Sequence, residues 1–155
     1  METRSHKWEV VPLEQEDMEW FVEVAAVKML QDEVRKPEYV DVENLYVLAS
    51  TGAITGTAFV VKKDGVNVGA IGGILTPNLF NPNMTLLTEV FWYVLPEYRN
   101  TRAGLLLLDV YSKKAEEVAD EASFSLLSTS TVNKNTLEKK GYQFCEYSFR
   151  REHRR

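Results

Sequence analysis

The chain has 155 residues, 45% apolar and 26% charged, which suits one domain with its own core and excludes wholesale disorder. A formal net charge of −5 argues against a dedicated nucleic-acid binder, because neutralising phosphates needs a basic surface. Cys145 is the single cysteine, which excludes an internal disulfide or a cysteine-based zinc site and points to a reducing, cytoplasmic compartment.

From Met1 to Trp8 the sequence is polar and lacks the apolar centre of a signal peptide, and the apolar run around Leu105 to Leu108 is far too short to span a bilayer. Trp8 to Pro12 predicts a first strand. Met18, Phe21, Val22, Ala25 and Met29 then recur at helical spacing, with Trp20, Val24 and Val27 on another face, and Arg35-Lys36-Pro37 closes that helix. A second helix is expected over Asp41 to Ala49, stopping before Thr51-Gly52.

Two strands, Thr57 to Lys62 and Val66 to Leu75, flank the turn signal Asp64-Gly65. Gly69, Gly72 and Gly73 within the second predict a bulge or a close approach by another segment. The Asn- and Pro-rich loop from Thr76 to Met84 exceeds what a tight hairpin needs and suits the edge of a pocket. Leu86 to Leu95 reads as a central strand buried on both faces. A helix from Arg102 to Asp120 follows, with Leu107, Leu108, Tyr111, Ala115 and Val118 on one stripe. Phe124 to Ser128 reads as a strand, Asn133 to Lys140 as a short helix capped by Gly141, and Tyr142 to Phe149 as a last strand with Cys145 packed among its aromatics. The order β-α-α-β-β-β-α-β-α-β implies an α/β fold with a central mixed sheet flanked by helices.

The chemistry concentrates in Val94-Leu95-Pro96-Glu97-Tyr98-Arg99-Asn100-Thr101-Arg102-Ala103-Gly104-Leu105. A buried strand, a tight turn and a helix opening on small residues direct backbone N–H groups at one point, beside two arginines. That arrangement suits a diphosphate, and a plain connection is the alternative. Glu89 is the one ionisable residue in the predicted central strand; burial raises a carboxyl pKa towards neutrality, which suits proton abstraction. A structural carboxylate is the other role open to it. His6 and His153 lie in terminal segments, and Arg150, Arg151, Arg154 and Arg155 form a basic tail; solvation is the plain expectation for both.

Pro96, Tyr98 and Arg99 at their spacings after Val94, together with Gly104, resemble the acetyl-CoA signature R/Q-x-x-G-x-G/A of the GNAT acyltransferase superfamily. Arg102 stands where the first glycine of that pattern is expected. The segment order resembles that family too, and Asn133, Leu137-Glu138-Lys139-Lys140 and Gly141-Tyr142 resemble its end motif. The Tyr98-to-Leu105 wording is also similar to phage-encoded members.

The resemblance implies direct transfer of an acetyl group from acetyl-CoA to an amine of a small molecule or protein. Backbone groups of Tyr93 and Val94 would face the acetyl and pantetheine portion. The turn Arg99, Asn100, Thr101, Arg102, Ala103, Gly104 would hold the pyrophosphate, and Asn133 the coenzyme arm. Leu137 replaces the family's tyrosine acid, leaving Tyr142, Tyr98, Tyr93 or water for that task. The family's bases on this strand lie one residue out of phase with Glu89, counted from Val94, and a bulge would restore the phase. Acceptor choice would rest on Arg35 to Asp41 and on loops such as Thr76 to Met84. Family members often form homodimers. Two other functions fit the same residues: a non-catalytic module that keeps the fold for binding, and a phage-type enzyme that modifies a nucleobase.

Overall fold

The computed structural model describes residues 7–128, 130 and 132–153. They fall into two compact units, one running to Ser125 and one from Leu126 onward. The first holds a five-stranded sheet, β1 (Trp8–Pro12), β2 (Ala58–Lys63), β3 (Val66–Pro77), β4 (Thr85–Val94) and β5 (Glu121–Ser123), paired in that order. The first four are antiparallel and β5 runs parallel to β4. Asp64 and Gly65 both take positive φ at the β2–β3 turn, as the Asp-Gly signal requires.

One face of the sheet carries the helical turns between Gln15 and Glu33 and helix α1 (Val42–Thr55). Their Phe21, Val22, Ala25 and Ala49 pack on Val60, Ala70, Phe91 and Tyr93. The other face carries α2 (Ala103–Val118), whose Ala103, Leu107, Tyr111 and Ala115 pack on Val61, Val68, Ile71 and Leu87. Spacing every fourth residue lays those α2 side chains in one stripe.

The first helix is irregular. A 3₁₀ turn at Gln15–Asp17 leads into two wide π-helical runs, Trp20–Ala26 and Met29–Glu33. Arg35 takes φ 57 just before Lys36-Pro37, which ends it where the proline predicts. The second helix runs past its expected stop, because Thr51-Gly52 continues it. Thr51 Oγ1 donates to the Val47 carbonyl within the helix, and Gly52 is the position that lets α1 lie close to Ala58. Gly56, with φ 72, is the actual cap.

One strand lies away from its expected place. The strand after α2 occupies Glu121–Ser123 rather than Phe124 to Ser128, because the ladder to β4 covers only Leu86–Glu121, Leu87–Ala122 and Thr88–Ser123. Phe124 contributes instead to packing, edge-on to Trp92 and Tyr111.

In the second unit, α3 (Lys134–Lys139) is capped at its start by the Asn133 side chain and followed by Gly141 at φ 90. Tyr142 to Phe149 forms no strand among the described residues: it has no ladder partner there, and Phe144, Tyr147 and Phe149 are exposed. Alternating aromatics supply the side-chain pattern of a strand but not its hydrogen-bond partner. Cys145 is accordingly exposed rather than packed. His6, Arg154 and Arg155 lie outside the described residues.

Among the β3 glycines, Gly73 is sterically obligatory. A Cβ there would run into the Tyr111 hydroxyl and come within 2.8 Å of the Thr88 carbonyl oxygen, whereas one at Gly72 would meet Ala58 Cβ at an ordinary 3.5 Å. Gly73→Ala should therefore cost about 1–3 kcal/mol through overpacking, with Gly72→Ala close to neutral. Paired chemical denaturation curves check the contrast.

Candidate active site

Strand β4 carries an extra residue. Gly72 pairs with Phe91 and Gly73 with Glu89, so Val90 bulges out of the ladder. Leu87 belongs to the α2 face of the sheet, whereas Phe91 and Tyr93 pack on the opposite face. An inserted residue produces that reversal of phase. The bulge falls between Glu89 and Val94.

Just beyond the bulge, β4 loses its neighbour. The ladder to β5 stops at Thr88–Ser123, while β4 continues to Val94. In an antiparallel ladder alternate residues turn their polar groups to alternate sides. The Leu95 N–H bonds to the Val68 carbonyl at 2.9 Å, so Tyr93 likewise faces β3, and Trp92 and Val94 face the open edge. The Val94 carbonyl on that edge accepts from Arg99 Nε at 3.1 Å. This corrects the expectation for Tyr93: its backbone serves the sheet and its side chain is buried on the α1 face. Trp92 takes its place on the edge, a residue that motif spacing alone did not single out.

The turn after β4 consists of a 3₁₀ turn (Pro96–Tyr98), then Arg99 to Arg102, then α2. Thr101 Oγ1 donates to the Tyr98 carbonyl and accepts from the Ala103 N–H. Among the described residues the Gly104 and Leu105 N–H groups find no backbone acceptor, as expected in a helix's first turn. Asn100, Thr101 and Arg102 are exposed around them, and Ala103 is buried. Gly104 has ordinary φ, and a Cβ built on it would approach nothing closer than Val94 Cγ2 at 3.8 Å. No internal contact of the fold therefore demands glycine there. The space beside its backbone suits a group that must come close to those N–H donors.

The two arginines of this turn differ. Arg99 is committed inward: its Nη2 lies 3.0 Å from Glu33 Oε1, and its guanidinium sits 5.3 Å from the centre of the Tyr93 ring. It ties the turn to the end of the first helical segment. Burial pushes the Glu33 carboxyl pKa up, and Arg99 opposes that. Arg102 caps nothing with its side chain, which is exposed beside the helix start.

Arg99→Met should remove one cation from beside the partly buried Glu33 carboxylate and cost about 1–3 kcal/mol. With the lowering influence of Arg99 gone, the folded pKa of Glu33 rises further, and stability falls as pH climbs through it. Melting curves should show a larger loss at pH 8 than at pH 5.

Glu89 is the last β4 residue before the bulge, one residue past the end of the β5 ladder, and is not among the residues lining the chamber beside the bulge. Burial raises its carboxyl pKa to about 8, opposed by a hydrogen bond from the Ser125 backbone. On the α1 side of the bulge lies a cavity of about 400 Å³ whose floor includes Gly73, Val90 and Phe91, with α1 and the first helical segment as walls. Of the two loops expected to border an acceptor, Arg35 to Asp41 contributes Tyr39 and Asp41, and Thr76 to Met84 contributes nothing. The bulge thus separates an apolar chamber from an open edge that leads to the helix start.

Asn133 and Tyr142 belong to the second unit. The Asn133 Oδ1 accepts from the Asn135 N–H at 2.9 Å, and the Tyr142 N–H bonds to the Leu137 carbonyl. Leu137, at the position of the family's tyrosine, is buried. Among the described residues no group of His, Cys, Asp and Glu could hold a metal ion, and no helix is long and apolar enough to cross a membrane.

No protein-family model matches the chain, and no curated protein matches it. Solved structures do. An aminoglycoside N-acetyltransferase, AAC(6')-Iy, in complex with CoA is 12% identical, with 99% of each chain covered and a TM-score of 0.71. A predicted acetyltransferase with acetyl-CoA from Clostridium acetobutylicum is 15% identical over 94% of this chain and 96% of its own, with a TM-score of 0.72. A transcriptional regulator from Bacillus halodurans is 16% identical over 95% and 100%, with a TM-score of 0.70. A mixed five-stranded sheet flanked by helices, superimposable on these chains over nearly their whole length, gives this protein the fold of the GNAT acetyltransferases.

Proposed function

We propose that the chain is an N-acetyltransferase that passes the acetyl group of acetyl-CoA directly to an amine. The observation that carries the proposal is the open edge of β4, which runs from a half-open apolar chamber beside the bulge towards a helix start with N–H donors.

Acetyl-CoA supplies the activated thioester; the chain supplies position, polarisation and a proton acceptor. The Gly104 and Leu105 N–H groups would hold the diphosphate, with the Arg102 side chain beside them. The Trp92 and Val94 backbone groups would align the pantetheine arm along the open edge, and a backbone N–H there would polarise the thioester carbonyl. An amine in the chamber would meet that carbonyl across the bulge, and such alignment provides much of the acceleration in a two-substrate reaction. Glu89 would take the amine's proton. The neighbours solved with CoA or acetyl-CoA support the coenzyme assignment by analogy of fold.

The buried Leu137 favours a second reading, a coenzyme-binding module without turnover, because it removes the family's usual acid. Thiol release from acetyl-CoA, followed with and without a panel of primary amines, separates the two. Transfer predicts amine-dependent thiol release and an acetylated amine in equal amounts. A module predicts neither.

A further inference from the structure

We infer that the chamber beside the β4 bulge takes the apolar body of a small monoamine, aromatic or branched-alkyl, and rejects polycations. The inference rests on the acetyl-transfer function proposed above and names the acceptor class for that site.

The lining carries the argument. Phe21, Met29 and Leu30 come from the first helical segment, Leu45 and Leu48 from α1, and Phe91 from β4. Among the described residues, only Tyr39, Asp41 and Asn44 bring polar side chains to it, and only Asp41 carries a charge. That carboxylate already works inside the fold: Asp41 Oδ1 accepts from the Asn44 N–H at 3.1 Å and caps α1. A ligand with several ammonium groups would leave most of them desolvated and unpaired, which is costly. A single amine directed at the bulge leaves every charge at the reacting end, while an apolar body replaces water along the walls. The size agrees: about 400 Å³ lies near the lower end of small-ligand sites, which span roughly 300–1,000 Å³.

Three primary amines of different chemistry test the inference: 2-phenylethylamine, ethanolamine and spermidine, each with saturating acetyl-CoA. The expected result is a kcat/KM for 2-phenylethylamine about 10- to 100-fold above that of either polar amine, from apolar area buried in the chamber. Leu48→Asn changes one partly exposed wall residue. It should raise KM for 2-phenylethylamine about tenfold, while the affinity for acetyl-CoA, measured separately, stays the same. Calorimetric titration of 2-phenylethylamine into the CoA-loaded protein supplies a readout independent of turnover, and the same variant should weaken it in parallel.

Preference for spermidine, parity with ethanolamine, or an unaltered Leu48→Asn variant overturns the inference while leaving acetyl transfer in place. So does 2-phenylethylamine that neither reacts nor binds while another amine is acetylated. Acetyl-CoA that fails to bind at all removes the acetyl-transfer function itself.

Discussion

Gly104→Glu should abolish acetyl-CoA binding, by at least about 100-fold, while the free protein melts slightly higher. Two effects point in opposite directions. A Cβ at this position meets nothing closer than 3.8 Å, so the fold accepts it. Replacing glycine within a helix gains about 0.5–1 kcal/mol, and a carboxylate in the first turn gains a further ~0.3–1 kcal/mol from the helix dipole. Together these raise the melting temperature by about 2–8 °C. The same side chain would fill the space beside the Gly104 and Leu105 N–H donors and place a negative charge against a diphosphate. Gly104→Ala should show the same opposition on a smaller scale. Calorimetric titration alongside thermal melting measures both signs. Unchanged affinity in the folded Gly104→Glu protein would mean that the diphosphate binds elsewhere.

Removing the Glu89 carboxylate should be the largest catalytic lesion. With its pKa raised to about 8, Glu89 is mostly protonated at neutral pH, so turnover in the wild-type protein should climb as pH passes through 8. Glu89→Gln should lose about 10²–10⁴-fold in turnover and lose that titration from the pH–rate profile. The deficit should be smaller near neutrality, where the wild-type carboxyl is mostly protonated, and widen as pH rises through 8.

Stability changes in the opposite sense. A carboxyl whose folded pKa is raised from 4.5 to about 8 binds its proton more tightly in the fold. Its stabilisation is complete below pH 4.5 and is lost as pH rises through 8. The glutamine variant stays neutral throughout, so above pH 8 it should be more stable than wild type, by on the order of a few kcal/mol. A variant that melts lower and retains turnover across the profile would assign the base to another residue or to water.

The parts of this fold that local chemistry dictates were legible in the chain. Asp64-Gly65 can close a hairpin because both residues accept positive φ, and the α2 stripe at Leu107, Leu108, Tyr111 and Ala115 has one consistent period and is buried. What depends on a partner was not. Tyr142 to Phe149 alternates like a strand, yet strands exist through ladders, and none forms there among the described residues. The β5 boundary shifted for the same reason, being set by its register with Leu86 to Thr88.

The site was legible as a motif and not as a geometry. Spacing singled out the turn at Arg99 to Gly104 and the carboxylate at Glu89 as candidates. It did not tell Arg99, held by Glu33 some 66 residues away in sequence, from the exposed Arg102. It named Tyr93 rather than Trp92 for the open edge, because the side each faces follows from the ladder with β3. The glycines of β3 signalled a bulge, and its location at Val90 needed the pairing register.

Equilibrium titration of acetyl-CoA and of free pantetheine into the wild-type protein addresses the proposed coenzyme cleft most directly. Acetyl-CoA should bind one per chain at micromolar concentrations, and pantetheine, which lacks the diphosphate, at least about tenfold more weakly. No binding of acetyl-CoA at millimolar concentration, or pantetheine bound equally well, would contradict a coenzyme site built on the open edge of β4 and the first turn of α2.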